Sequence, residues 1–407
     1  MTAFPIERTA TPKQAPPDDS LKFGTFFTDH MFMMNYDEGR GWHDPRIVPY
    51  QCLSLDPATC VLHYAQAIFD GLKAFRGADD VIRIFPPARH AARLNQSCER
   101  LCIPPLDPAL VAQSFEALVA VDHRFVPRKP GTALYIRPTV IATEPFLGVR
   151  PATSYLYFVI LSPVGAYYAE GMNPVKILAS DRHVRALPGG LGAAKTAANY
   201  AASLYPAEEA HRLGFTQVLY LDGVEHRYLE EVGTMNIMLK IDGTVITPPL
   251  SGSILAGITR ESVLTLLRDW GIPAVERPIT IDEVIAAIEA GKLEEMWGTG
   301  TAAVISPVGE LGYRDRRFTI NDGKIGPLTA RLYETIVGIQ YGRLPDPHGW
   351  MRPVRARGRS RRMSGAELAY LPATAQAAAF RARTLSPREV AEAVLARKAA
   401  AWAVAGR

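Results

Sequence analysis

GGLGAAKTAANYAAS (189–203) sets a single basic side chain, Lys195, among glycines and alanines. Small neighbours leave room for a flat ring to reach the amine, and a lysine amine becomes a covalent catalyst when it condenses with a carbonyl. Downstream, EEVGTMN (230–236) places Glu231 between two β-rich runs. A carboxylate there can stand against a ring nitrogen and hold it protonated, since an opposite charge within hydrogen-bond reach shifts a pKa by about 1–3 units. Its neighbour Glu230 reads as an exposed acid. Lysines are ordinarily exposed, so Lys195 carries a function only through the company it keeps.

That company includes three candidate anion sites. Arg93 lies on a helical stretch, ARHAARLNQSCERL (88–101), on one face with Ser97 and Arg100, and a guanidinium suits bidentate phosphate contact. AGITRESVLTLL (256–267) puts Gly257, Ile258 and Thr259 where a helix begins, with free N–H groups at the positive end of the helix dipole. GTGTA (298–302) adds a glycine-lined turn with the hydroxyls of Thr299 and Thr301. A carbonyl-seeking lysine, a carboxylate for a ring nitrogen and a phosphate cradle are the parts that pyridoxal 5'-phosphate requires.

Around these parts the chain reads as an α/β protein. Short β-type runs at 80–85, 132–140 and 154–161 alternate with helical stretches at 88–103 and 107–121, which predicts a first α/β unit over 22–165 after a loose arm over 1–21. TEPFLGVRPA (143–152) reads as an interdomain or surface loop. A second unit, 166–350, starts with a strand at 174–180, a helix over about 196–213 and a strand at 216–223. A hairpin at 234–248 then turns on Asp242-Gly243, a pair suited to a primed turn. Helices at 259–270, 281–290 and 327–341 and a strand at 302–308 complete it.

Composition narrows the function class. With 407 residues, 48% hydrophobic and 21% charged, the chain suits a soluble protein with more than one core. Cys52, Cys60, Cys98 and Cys102 form no C-x-x-C pair and read as reduced structural thiols. The N-terminus lacks a signal-peptide pattern and no apolar run spans a bilayer, which places the protein in the cytoplasm and away from membranes. Residues 351–407 hold twelve Lys and Arg against three Glu, a net of +9; with the whole chain at +4, residues 1–350 carry −5. The basic run RPVRARGRSRR (352–362) lacks an accompanying nucleic-acid motif, so it reads as a solvated tail.

Eight ordered blocks resemble the branched-chain amino acid aminotransferases, of fold type IV among pyridoxal-phosphate enzymes. They are LKFGTFFTDHMF (21–32), LHYAQAIFDGLKAFRG (62–77), ALYIRPTVIATEPFLGV (133–149), LPGGLGAAKTAANYAASL (187–204), QVLYLDG (217–223), EEVGTMNIM (230–238), ILAGITRESVL (254–264) and WGTGTAAVISPV (297–308). The resemblance implies a two-domain α/β fold with the cofactor at the domain interface, and a homodimer. It implies that Lys195 is the Schiff-base lysine and proton shuttle, that Tyr200 faces the ring's 3' oxygen, and that Glu231 faces the ring nitrogen. Arg93, Ile258, Thr259 and Thr301 would hold the phosphate. Phe27, Tyr64, Phe69, Tyr135, Arg137, Gln217, Thr234 and Ala302 would form the substrate pocket, with Val149 reaching in from a partner subunit's loop. The implied reaction moves an amino group from leucine, isoleucine or valine to 2-oxoglutarate, with Arg137 and nearby tyrosines accommodating the second carboxylate.

Two departures stand out. Where some relatives carry a C-x-x-C redox pair this chain has Ala303 and Ser306, so thiol regulation through that pair is not expected. The chain also continues past the family's usual end, and 367–400 resembles the opening helices of amidase-signature hydrolases without their Ser-Ser-Lys core, with a helix over 386–400. Other fold type IV enzymes, a D-amino acid aminotransferase or an aminodeoxychorismate lyase, would share the lysine and phosphate cradle but lack the FDGLKAFRG, YIRPT and EEVGTMN combination. A non-catalytic protein that binds through the basic tail is the other alternative.

Overall fold

Strands rich in β-branched and aromatic residues build two sheets, each packed around its own apolar core. A computed structural model describes residues 4–165, 172–354 and, further on, 368, 370–381, 385–388 and 390–395. The first sheet holds β1 (His30–Asp37), β2 (Gly41–Pro49), β3 (Ala67–Phe69), β4 (Leu72–Arg76), β5 (Ile82–Phe85), β6 (Ala133–Ala142) and β7 (Ser154–Val164). Its order is β5-β4-β6-β7-β1-β2, with β3 also paired to β6. Helix α1 (Cys60–Tyr64) precedes β3, and α2 (Pro87–Arg100) and α3 (Pro108–Val121) follow β5. Both of the longer helices begin with a proline, whose missing N–H costs nothing at a helix start. Their apolar faces, Leu94, Cys98, Val111, Phe115 and Leu118, are buried with Ile84, Ile136 and Tyr157 of the sheet.

One irregularity in this sheet positions the site. Pro138 lies within the continuous strand β6, and the neighbouring strand breaks opposite it: Phe69 pairs with Thr139 and Leu72 with Ile136. A proline has no N–H for a ladder, so in the gap between β3 and β4 only the Pro138 carbonyl can take part. The break contains Asp70 and Gly71, and the Asp70 N–H donates to the Pro138 carbonyl at 2.9 Å.

The second sheet takes β8 (Val175–Ser180), β9 (Gln217–Leu221), β10 (Leu229–Val232), β11 (Met235–Ile241), β12 (Thr244–Thr247), β13 (Ala274–Glu276), β14 (Leu293–Gly300), β15 (Val304–Tyr313) and β16 (Arg316–Thr319). Its order is β10-β9-β8-β15-β14-β11-β12-β13, and β10 also pairs with β11, which closes six strands into a ring. Asp242 and Gly243 turn the β11–β12 hairpin with φ of 46° and 77°, the left-handed pair a primed turn demands. Helices α4 (Ala197–Ala202), α5 (Leu204–Arg212), α6 (Ile258–Asp269), α7 (Ile281–Glu289) and α8 (Pro327–Gln340) accompany it. The single helix expected over 196–213 is two: Pro206 has no N–H for the Ala202 carbonyl, so the hydrogen-bond ladder breaks near Ser203.

Two expectations about the chain's edges are corrected, and one about a loop is narrowed. The arm over 1–21 is tied down where it is described: Phe4 is buried, the Glu7 N–H donates to the Ile47 carbonyl, the Ile47 N–H donates to the Pro5 carbonyl, and Lys13 Nζ donates to the carbonyls of Phe27 and Thr28. Segment 143–152 joins β6 to β7 within one sheet and is a surface loop, not an interdomain link. At the other end, β17 (Arg352–Pro353) adds to the edge of β5 and the Val354 N–H donates to Ile82. Compact units accordingly divide between Val354 and Arg355 rather than at 350. Within the second unit, Ala373–Arg381 is helical, as are the described residues 390–395; the rest of the helix expected over 386–400 lies partly outside the described residues.

Candidate active site

Lys195 lies in the part of the chain that builds the second sheet but is held by the part that builds the first. Its carbonyl accepts the Phe69 N–H at 3.0 Å, its own N–H donates to Ser97 Oγ at 2.9 Å, and Thr196 Oγ1 donates to the Ala67 carbonyl at 2.8 Å. These bonds from β3 and α2 fix the backbone from which the side chain projects. Nζ then lies 2.6 Å from Tyr200 Oη. The stem keeps partial exposure along a cavity wall while the amine is enclosed, and burial, reinforced by Arg93, brings the ammonium down to about 8. Burial pushes the Tyr200 phenol up to about 12, with Glu231 adding to it, so the phenol stays protonated.

The cavity, about 440 Å³, brings together Lys195, Tyr200, Glu231, Arg93, Ile258, Thr259, Thr301, Phe69, Tyr135, Arg137, Thr234 and Ala302. Phe27, Tyr64 and Gln217, expected in the pocket, do not line it in the single chain. Phe27 stacks on Tyr50 at 5.4 Å, Tyr64 is exposed on α1, and Gln217 lies against Gly233. Val149, expected to serve a partner's pocket, is 91% exposed on the 143–152 loop.

Charges are arranged in two buried clusters. At the break between β3 and β4, Asp70 accepts Arg93 Nε at 2.9 Å and Nη2 at 2.7 Å, with His90 Nδ1 2.7 Å away. Burial alone would raise Asp70; Arg93 and His90 overcome it and hold the carboxyl far below the usual range. Arg93 is thereby fixed as a cation with Nη1 near the Ala256 carbonyl at the head of α6. Across the cavity, Glu231 is 3% exposed; Oε1 accepts the Leu255 N–H at 2.7 Å and Asn236 Nδ2 at 3.3 Å, and Oε2 lies 3.0 Å from Arg185 Nε. Burial pushes Glu231 upward and Arg185 opposes it. Glu230, read from the sequence as an exposed acid, is buried and accepts the Ser253 hydroxyl.

Glycines make the space. A Cβ on Gly71 would sit 1.8 Å from Tyr135 Oη, and one on Gly257 would sit 1.9 Å from Asn236 Oδ1. Gly257 offers no capping side chain, so the first N–H groups of α6 have no side-chain acceptor and open on the cavity with Ile258 and Thr259. Arg137 Nε is buried without a hydrogen-bond partner among the described residues, while Nη2 donates to Tyr135 Oη at 3.0 Å and the guanidinium lies 4.7 Å from the Phe69 ring.

Sequence reasoning missed Asp70, Arg185, Phe23, Asn236 and the role of Ser97. Asp70 stood in the quoted block 62–77, and Pro138 in a β-rich run was a signal that the neighbouring strand must break near it. Nothing local marked Arg185 as the partner of a residue 46 positions away.

Comparisons with known proteins identify the family. The family model for amino-transferase class IV matches residues 67–311. Branched-chain-amino-acid aminotransferase 2 of Bacillus subtilis is 54% identical over 351 residues, covering 86% of this chain and 97% of that protein. The crystal structure of the Escherichia coli branched-chain amino acid aminotransferase is similar with a TM-score of 0.68 at 25% identity, covering 80% of this chain and 99% of that one. The T.th. branched-chain amino acid aminotransferase complexed with N-(5'-phosphopyridoxyl)-L-glutamate has a TM-score of 0.64 at 26% identity, covering 79% and 98%.

Proposed function

This chain belongs to the class IV aminotransferases, among the branched-chain-amino-acid aminotransferases, and from that premise we propose that it moves the amino group of leucine, isoleucine or valine reversibly to 2-oxoglutarate. The observation that carries this is the enclosed Lys195 amine, bonded to Tyr200, in a cavity with a buried carboxylate on one side and a fixed guanidinium on another. These residues fit pyridoxal 5'-phosphate, the family's cofactor: Gly257 leaves space beside uncapped helix N–H groups, Arg93 is a held cation, and no carboxylate pairs with Lys195 among the described residues.

When bound, pyridoxal 5'-phosphate supplies a carbonyl for the amine and a ring that takes up the electron pair left when a substrate Cα loses its proton. Arg93, Thr301 and the N–H groups of Ile258 and Thr259 would hold its phosphate. Tyr200 Oη, protonated to about pH 12, serves as a hydrogen-bond donor. Glu231, whose carboxyl burial pushes up against the pull of Arg185 and the Leu255 N–H, would face the ring nitrogen and share a proton with it. Lys195 Nζ, titrating near 8, can accept and return a proton close to neutral pH. Phe69 and Tyr135 give the substrate side chain an aromatic wall, and the Nε of Arg137, without a hydrogen-bond partner among the described residues, offers a donor to the second carboxylate of a dicarboxylic acid.

The exposed apolar residues Leu62, Tyr64, Phe146, Leu147 and Val149 support a homodimer. Helix α1 and the 143–152 loop form one surface, joined by a Thr59–Pro145 bridge and the Phe146 N–H to Ala58 carbonyl bond. Val149 would then complete the cavity of the partner. Four unpaired thiols fit a reducing compartment, and we place the enzyme in the cytoplasm; no helix among the described residues is long and apolar enough to cross a membrane.

Purified enzyme given L-leucine and 2-oxoglutarate should produce glutamate and 4-methyl-2-oxopentanoate, with half-reactions visible as changes in cofactor absorbance. Turnover of D-amino acids alone, or cleavage of aminodeoxychorismate, would replace this reading with another of the same fold.

A further inference from the structure

The turn between β4 and β5 frames a second, smaller pocket of about 220 Å³, which shares no lining residue with the Lys195 cavity. Three of its walls are arginines: Arg76 at the end of β4, Arg128 in the stretch that leads to β6, and Arg343 just past α8. No acidic residue among the described ones lines it. Residues 1–350 carry a net charge of −5, so three guanidiniums at one pocket run against the composition around them. Like charges brought together repel, and the arrangement is unfavourable unless an anion offsets it.

Packing accounts for one of the three. The Arg76 side chain is 8% exposed; Nε donates to the Val126 carbonyl at 3.2 Å and Nη2 to the His123 carbonyl at 2.7 Å, which ties β4 to the segment after α3. The guanidiniums of Arg128 and Arg343 tie no backbone down among the described residues. The Arg128 side chain is 70% exposed and donates to Asp80 alone, and Arg343 has the Tyr341 ring at 5.8 Å and no hydrogen-bond acceptor among the described residues. Nη1 of Arg76 and Nη1 of Arg128 donate to the same oxygen, Asp80 Oδ1, each at 2.8 Å. That carboxylate shows what the place accepts, an anionic oxygen held between two guanidiniums, but one charge does not offset three. The other acid of the turn, Asp79, is taken by both Nη groups of Arg83. A Cβ on Gly77 would come within 2.5 Å of Asp79 Oδ1 and 2.8 Å of the Tyr341 carbonyl, so glycine lets the turn pack against the end of α8 and fixes the pocket's walls.

We propose that this pocket binds a phosphate group, free or as the head of a phosphate monoester, through Arg76, Arg128 and Arg343. Guanidiniums from three separate segments suit a tetrahedral oxyanion, which presents acceptor oxygens in several directions, whereas a carboxylate presents two in one plane. The volume lies below the roughly 300 Å³ at which ordinary ligand pockets begin, so it suits a phosphate with little attached. Asp80 stays in place when the anion binds: a guanidinium has five N–H donors, of which three of Arg76 and one of Arg128 are engaged. The site is separate from Arg93 and the start of α6, and it stands whether or not the aminotransferase reading does.

The test titrates full-length holoenzyme, its Arg93 cradle filled by cofactor, with inorganic phosphate by calorimetry in a phosphate-free buffer at constant ionic strength. Acetate and glycerol 3-phosphate are the further probes. Phosphate should saturate one site per chain and raise the thermal midpoint, and acetate should bind at least about tenfold more weakly. Arg128→Gln and Arg343→Gln should each weaken phosphate about tenfold to a hundredfold, the range of one charge-assisted hydrogen bond. Both variants should keep wild-type leucine turnover and, without phosphate, the wild-type thermal midpoint, since neither side chain ties the fold together. Glycerol 3-phosphate binding as tightly as phosphate would assign the site to monoesters, and phosphate binding alone would assign it to the free ion; either result upholds the proposal. No saturable binding to the wild type, unchanged binding in both variants, or acetate binding as tightly as phosphate overturns it. A wild type that binds phosphate but does not transaminate leucine would sink only the functional reading, so the two failures are separable.

Discussion

Arg93 and the Lys195 amine line the same cavity as cations, yet one is neutralised and the other is left without a carboxylate among the described residues. Asp70 accepts two bonds from Arg93 and lies beside His90, whereas Lys195 has a phenol for a neighbour and feels Arg93 as a like charge. The difference follows from the work each must do. A phosphate anchor has to remain charged at every pH the enzyme meets, so a paired carboxylate stabilises it. A covalent amine has to lose its proton, and withholding a carboxylate lets burial bring it to about 8.

Deleting the amine tests the contrast most severely. Lys195→Ala should cut leucine turnover on the order of a thousandfold or more, because covalent attachment and proton transfer are lost together. Pyridoxal 5'-phosphate should still be retained, through Arg93 and the α6 start. Borohydride reduction of wild-type enzyme followed by peptide mapping should place the label on Lys195; a label on another lysine would overturn the assignment.

Breaking the other side of the contrast should appear in stability before rate. Asp70→Asn leaves Arg93 buried without its carboxylate, and breaking such a pair costs about 3–5 kcal/mol. Because the folded pKa of Asp70 is depressed, the wild-type advantage is present above the unfolded value near 3.8 and is lost as pH falls below it. Denaturant midpoints of the two proteins should therefore differ widely at pH 7 and converge in acid; parallel curves would show that Arg93 does not depend on Asp70.

Lys195→Met sharpens the comparison with the opposite sign. The folded pKa, about 8, lies below the ordinary lysine value of 10.5, so protonation opposes folding. The wild type is penalised most below pH 8, and the penalty fades as pH rises toward 10.5. Allowing for water in the cavity, cofactor-free Lys195→Met should be more stable than cofactor-free wild type by about 1–3 kcal/mol at pH 7 and about equal to it above pH 10. Urea midpoints at the two pH values decide this; a variant less stable at pH 7 would mean that the amine is solvated rather than enclosed.

How much of this was legible in sequence depends on range. The Asp242-Gly243 turn, the α6 start and the strand runs are written in local chemistry, and the structure places them within a few residues. Twelve of the expected site residues meet in one cavity, Glu231, Thr234, Thr301 and Ala302 from strand ends and turns and Tyr135, Arg137 and Arg93 from within β6 and α2. Arg185 with Glu231 and Arg128 with Asp80 were not legible, since no spacing rule connects 80 to 128. The placement of Phe27, Tyr64 and Gln217 outside the single-chain cavity was equally hidden: aromatic or polar character in a motif does not say which surface a side chain faces.

The smallest expected effect concerns the tail. Removing residues 355–407 should leave transamination and the thermal midpoint nearly unchanged, because every residue that lines the cavity lies between Phe23 and Ala302 and the compact unit ends at Val354. Removing 351–407 should not be equivalent. That cut deletes β17, the Val354 bond to Ile82 and the Arg352 contact with Glu116 Oε1 at 3.0 Å, exposing the edge of β5 and part of the core around Ile84. The exposed ion pair contributes little by itself; the lost strand and the buried Val354 side chain should cost about 1–3 kcal/mol. Thermal midpoints of the three chains, read with leucine turnover, separate the outcomes. Equal midpoints for both truncations would show that β17 contributes nothing, and a large loss in the shorter cut would place residues beyond Val354 in the fold of the enzyme.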